Sequence, residues 1–338
     1  MSFKRYETED FVVSSDAISS TLWSTGNPTL NEFFTSSVQA AGSSGNFYLT
    51  VYNTGSELTN AFPQFEIAYA DQVGSGSAYY NTAVPGKSPS LSTYGQYRAL
   101  ILEDENKSFT FGTDNNVFTT PNFWAISMDR ARYKESLFLG SLRLTLSSSA
   151  GAIHLTDNSS DVTVNTFLGS SKVYQLISGS DGSSGVLDNN GYVANSGSYG
   201  LVFPELGTIL LNPAAISQSI QVDAVRTANS TNGVNNTTLF DAINIGAEFK
   251  LNSQETITSD YIFTRARNSE FNYTQNPTFI SGSTGEVIYD NFINNPQTFI
   301  TTIGMYNNTN ELLAVAKLSR PLLKDFTKEA LVRVKLDF

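Results

Sequence analysis

The chain has 338 residues, is 40% hydrophobic and only 15% charged, and carries a net charge of -11. This composition permits a large core, and its 23 Phe and 16 Tyr exclude a globally disordered chain, which would be poor in aromatics and rich in charge. The acidity argues against nucleic-acid binding, which needs a basic stripe to displace counterions, and the absence of cysteine excludes disulfides and thiolate metal sites.

Residues 1–45 read as an N-terminal arm. The opening Met1–Asp10 lacks the apolar core of a Sec-type signal peptide. Phe11-Val-Val13 is a short strand, and Trp23-Ser-Thr-Gly26-Asn-Pro28 is turn chemistry beside a large aromatic, followed by Phe33 and Phe34. Either these rings need another surface to cover them, or the arm packs on its own domain.

Residues 46–122 read as a β domain with one helix. Asn46–Tyr52 is a continuous β-prone run, and Phe65, Ile67 and Tyr69 alternate onto one face of a second strand. Ser88-Pro89 supplies an N-cap and a first helical residue, and Tyr94, Tyr97 and Ile101 recur at helical spacing. The pattern predicts a helix over 89–103 that stops before the acidic Glu103-Asp-Glu105.

Residues 123–250 and 251–338 read as two β repeats, the first enlarged by Gly/Ser-rich insertions. Arg130-Ala-Arg132-Tyr-Lys-Glu135 recurs as Arg265-Ala-Arg267-Asn-Ser-Glu270, each after an apolar strand. The matching tails are Gly200-Leu-Val-Phe-Pro-Glu-Leu206 and Gly304-Met-Tyr…Glu311-Leu312, each followed by Pro213 or Pro321. The paired Arg side chains are expected to fix strand-to-loop geometry within the fold or across an interface. Leu201–Phe203 and Thr208–Leu211 form a hairpin candidate, 236–250 holds a short helix, and Val332, Val334, Leu336 and Phe338 share one face of a terminal strand. The hairpin 298–318 and the strand 330–338 are expected to pair in one sheet. Arg320 and Lys324 are expected on a locally basic docking face.

The fold class that follows is mainly β: two or three packed antiparallel β-sandwich-like domains with few short helices and a possible internal duplication. No apolar run approaches the roughly 20 residues of a membrane span, so no membrane partner is expected. The single His154 leaves a Ser-His-Asp triad no second choice and makes multi-histidine metal sites impossible within one chain. No cofactor, metal or catalytic residue is assigned.

The stretch Thr298-Phe-Ile-Thr-Thr-Ile-Gly304 through Glu311-Leu-Leu-Ala-Val-Ala-Lys317-Leu-Ser-Arg-Pro321 resembles a β-hairpin of contractile-tail phage proteins found in baseplate and fibre-attachment components. Phe3-Lys-Arg-Tyr6, Trp23-Ser-Thr-Gly26, Phe33-Phe34-Thr-Ser-Ser37 and Tyr94-Gly-Gln-Tyr97-Arg98 are similar to virion structural proteins of T-even-type phages of marine cyanobacteria. The resemblance implies a non-enzymatic virion component, assembled in the host cytoplasm in several copies and bound to other tail proteins, with a baseplate wedge or connector expected first. It carries no catalytic residue over. The interface candidates are Trp23, Phe33, Phe34, Arg130, Arg132, Arg265, Arg267, Arg320 and Lys324. Two other readings remain: a module that binds receptor glycan through Tyr-rich loops, and a glycan-degrading enzyme built on two carboxylates.

Overall fold

The computed structural model describes residues 4–35, 48–78, 83, 88–113, 117–162, 166–185, 188–227, 233–274 and 276–338. Asn46 and Phe47 of the first predicted strand, and Phe3, Ser36 and Ser37 of the opening motif, lie outside the described residues. The structure is mainly β, with antiparallel sheets and short helices. It forms two compact units, Ile18–Glu255 and a smaller one made of Met1–Ala17 with Thr256–Phe338. The expected boundary between 122 and 123 is therefore corrected. It falls at the start of strand Asn122–Met128, which pairs along its whole length with Pro63–Asp71.

The larger unit is organised by one antiparallel sheet. Its strands run in the order Thr29–Leu30, Phe249–Lys250, Arg143–Ser148, Gly151–Asp157, Ser171–Ser180, Gly200–Phe203, Thr208–Leu211, Asn122–Met128, Pro63–Asp71, Leu49–Tyr52 and Phe34–Thr35. Period-two alternation sends side chains to opposite faces, and here both faces are apolar. Trp124, Ile126 and Met128 join one core, while Phe123 and Ala125 join the other. Phe249, in the second strand of this order, lies 5.2 Å from Phe65 in the ninth. The sheet therefore curls until its two ends meet.

The inside of the curl is filled by two helices. Pro213–Ile220 buries Ala215, Ile216 and Ile220, and Val234–Gly246 buries Leu239, Ala242 and Ile243. The first helix starts where Asn212 caps it, accepting a hydrogen bond from the Ala214 N–H at 3.1 Å with Pro213 next in line. The opposite face of the sheet is covered by the helix Pro89–Tyr97, its continuation as a π-turn over Arg98–Leu102, and Phe109 and Phe111. The predicted helix over 89–103 thus loses its α geometry at Tyr97 and ends where Glu103 turns left-handed, at φ 53°. In the hairpin Gly200–Phe203/Thr208–Leu211, Gly207 takes φ +62°, and a Cβ there would sit 2.4 Å from the Tyr133 ring. Both the turn and the close packing require glycine.

The smaller unit is a two-layer β structure. One layer has strand Asn252–Ala266, which enters this unit at Thr256, between strand Phe11–Thr21, which leaves it after Ala17, and the terminal strand Ala330–Asp337. The terminal strand is in antiparallel register from Ser259↔Asp337 to Ala266↔Ala330. The other layer is the hairpin Thr298–Tyr306/Leu312–Lys324. Its turn is closed by Asn307, whose Oδ1 accepts hydrogen bonds from the Thr309 and Glu311 N–H groups at 3.0 and 2.8 Å. Met305, Ala314 and Ala316 pack from the hairpin against Ile262, Val334, Val332 and Leu336. The expectation that hairpin and terminal strand share a sheet is therefore corrected. They face each other across a thin core, and the terminal strand takes its backbone partners from Asn252–Ala266.

The two Arg-x-Arg segments also diverge in structure. After Arg132 the chain enters strands Arg143–Ser148 and Gly151–Asp157, whereas after Arg267 it runs irregularly to a short helix at Asp290–Asn294. Pro213 opens a helix, and Pro321 sits inside strand Leu312–Lys324.

Candidate interaction surface

The predicted interface residues separate into three physical situations. Trp23 and Phe33 are core residues of the larger unit. Trp23 is 2% exposed, its Nε1–H donates to the Phe249 carbonyl at 2.9 Å, and its ring lies 5.0 Å from Phe249 and 6.0 Å from Phe65. Phe33 meets Phe65 edge-on at 6.3 Å, while half-buried Phe34 pairs with Tyr52 in the sheet. Trp23 and Phe33 are thus covered by their own unit and are not part of a docking surface. An indole whose N–H has found a partner has no residual reason to seek another.

Arg130 and Arg132 hold a loop to the sheet. Arg130 lies 4.5 Å over the Tyr133 ring and donates to the Tyr133 and Glu135 carbonyls at 3.4 Å. Arg132 donates to the Pro63 carbonyl at 3.1 Å and covers Phe62 at 5.6 Å. These contacts use the guanidinium as a planar donor over an aromatic face.

The remaining candidates lie in the smaller unit. Arg265, Arg267 and Arg320 are exposed. The Arg267 N–H donates to Glu270 Oε2 at 2.8 Å, and Lys4 Nζ donates to the Arg265 carbonyl at 2.8 Å and to Glu270 at 3.3 Å. Lys324 corrects the expectation of a surface docking cation. It is 0% exposed, and its ammonium donates to the Asn268 carbonyl at 3.0 Å and to Asn272 Oδ1 at 2.7 Å. Lys324 opposes Thr298 in the hairpin ladder, and its charge organises the 268–272 loop from inside.

The smaller unit also shows an inverted apolar distribution that the sequence pattern did not reveal. Among the described residues its buried hydrophobics are Ile262, Ala266, Met305, Ala330 and Val334, each 5–7% exposed, whereas the larger unit buries dozens. Among the described residues seventeen of the exposed large hydrophobics lie in the smaller unit, and this number is what marks it as a surface needing cover. On the outward side of the hairpin, Leu313 is 68% and Val315 56% exposed, beside Tyr306 and Leu312. Outward residues of a strand read as apolar as inward ones, so alternation alone could not separate them.

His154, the single histidine that any Ser-His-Asp triad would have to use, lies in strand Gly151–Asp157. Its Nδ1 is 2.8 Å from Thr145 Oγ1, directly across the ladder. The Thr145 hydroxyl donates to Glu248 Oε2 at 2.7 Å, and Arg143 pairs with that carboxylate at 3.0 Å. A hydroxyl has one proton, so the imidazole Nδ1–H must be the donor to Thr145. The group that would have to act as base is thus donating to the would-be nucleophile, and the cluster ties strand to strand. Among the described residues no group of His, Asp and Glu is placed to hold a metal ion, and no helix is long and apolar enough to cross a membrane.

Comparison with protein-family models, curated proteins and solved structures returns no match for this chain.

Proposed function

We propose that the chain is a structural component of a phage virion, most specifically a connector of the tail baseplate, which docks its smaller unit onto a neighbouring protein of the same assembly. The observation that carries this reading is the inverted apolar distribution of that unit. A two-layer β structure of this length with five buried hydrophobics and seventeen exposed ones gains little from its own core. Each large side chain that a neighbour covered would add about 1.5–3 kcal/mol if fully buried. The outward row of the hairpin, Leu312, Leu313 and Val315, is the natural centre of such a contact, since interface energy concentrates in a buried apolar core. Exposed Arg320 lies on the same strand, where a rim charge would steer an acidic neighbour. The sequence resemblance of this same hairpin to contractile-tail proteins supports the class of assembly.

Immunogold labelling of purified phage particles tests the reading. Gold at the tail tip, together with flanking genes for sheath, tube or wedge proteins, is the expected result. A protein found only in the unassembled lysate, with unrelated flanking genes, would contradict it.

A further inference from the structure

The segment 276–297 of the smaller unit builds a cleft that the assembly role does not use. The Phe279 and Ile288 backbones are joined by an Ile288 N–H to Phe279 carbonyl bond of 2.9 Å, and the turn between them is closed from Ser281 to Glu286 at 2.7 Å. This sets Phe279 edge-on to Tyr289 at 5.1 Å. The short helix Asp290–Asn294 then brings Phe292 to 5.9 Å from the same ring. The result is an open cleft of about 310 Å³ lined by Phe279, Tyr289, Phe292, Asn291, Asn295 and Gln297. That volume lies at the lower end of the range for small-ligand sites, roughly 300–1,000 Å³.

The lining has a specific chemistry. Three aromatic rings supply an apolar surface, and Tyr289 is half exposed. Three carboxamides surround them, and none of the three side chains is engaged in a hydrogen bond with the described residues. Each carboxamide offers one acceptor oxygen and two N–H donors. No carboxylate, ammonium or guanidinium lines the cleft. With no charged side chain to pair with an ionised group, the lining best suits an uncharged ligand that offers a face of weakly polar C–H groups to the electron-rich rings and carries hydroxyls that both donate and accept around its edge. A pyranose ring has all three properties. We propose that this cleft binds a neutral saccharide unit of a surface glycan. Without a carboxylate pair in the cleft, the glycosidic bond has no general acid and no nucleophile or base, so the bound sugar is held and not cleaved.

The test uses the full chain on a printed array of neutral and acidic oligosaccharides, followed by saturation-transfer NMR with the soluble form of any sugar that binds. Binding of neutral glycans is expected, with Tyr289→Ala and Asn291→Ala each weakening it by about tenfold. Gln297→Ala, a change at an exposed residue outside the helix, should weaken it while leaving the circular dichroism spectrum unchanged. Silence across the array, binding of acidic glycans or peptides only, binding unaffected by Gln297→Ala and Asn291→Ala, or release of new reducing ends would each overturn the proposal. Immunogold placement of the protein is unaffected by any of these outcomes, so the two readings fail separately.

Discussion

Lys324 and Arg320 stand four residues apart on one strand, and their environments set opposite expectations. The Lys324 ammonium is out of water and satisfied by two oxygens, so Lys324→Glu should replace two favourable contacts with repulsion and unfold the smaller unit. Loss of charge-assisted bonds alone costs about 1.5–3 kcal/mol, and a urea unfolding curve will show it. Arg320→Glu, at an exposed position, should leave the curve within about 0.5 kcal/mol and weaken assembly in a salt-dependent way. A second residue-scale expectation concerns Asp71, which is fully buried. Its Oδ1 accepts from the Val73 N–H and from the Ser75 N–H and hydroxyl at 3.0–3.2 Å, and its Oδ2 accepts from Arg226 at 2.7 Å. Asp71→Ala leaves these donors behind and should cost about 1–3 kcal/mol by thermal denaturation, with Asp71→Asn recovering part of it. Sequence alone placed Lys324 and Arg320 in one class, because charge is visible in a sequence and burial of charge depends on a loop, 268–272, that folds back over it.

At the scale of elements, local patterns were read correctly for several strands and one helix. The strand around Phe65, Ile67 and Tyr69, the hairpin 200–211 and the helix carrying Leu239 and Ile243 formed where the pattern placed them, while the tail hairpin expected over 298–318 extends to Lys324. The helix Pro213–Ile220 passed unpredicted, although Asn212-Pro213 announces it as N-cap and first residue. Its eight residues are too few for a periodic signal. Pairing partners were not legible, since the terminal strand's alternation fits any neighbour. Its actual partner, Asn252–Ala266, is more than sixty residues away, and the expected one faces it through Met305. Deleting 330–338 should accordingly expose Ile262 and Met305 and unfold the smaller unit while the larger unit keeps its melting transition. Two transitions in scanning calorimetry, of which only one disappears, is the expected outcome.

At the scale of the molecule, the two units differ in how they depend on pH. The Arg267 N–H, with Lys4, holds the Glu270 carboxyl below the usual carboxylate range. Thr327 does the same for Asp325, and Lys335 for Asp337. A carboxylate whose value falls on folding stabilises the native state above its unfolded value and loses that contribution as pH falls through the folded one. All three lie in the smaller unit, so its transition should move down as pH falls below about 4, and Glu270→Gln should flatten that fall. The sequence placed the β class, but not the contrast between a densely cored unit and one that leaves its apolar residues outside. Composition averages over both units, and the outward Leu313 and Val315 look in sequence like any core pair.

That contrast is the centre of the account, and incorporation of a hairpin variant into particles tests it most directly. Leu313→Lys with Val315→Lys changes only outward, exposed side chains, so the calorimetric transitions should match those of the wild type. In complementation of a phage lacking the gene, quantitative mass spectrometry of purified particles should find the variant depleted by about tenfold or more, the loss that about 1.4 kcal/mol of contact energy produces. A folded variant incorporated at wild-type copy number would show that the exposed apolar row of the hairpin is not what holds the protein in its assembly.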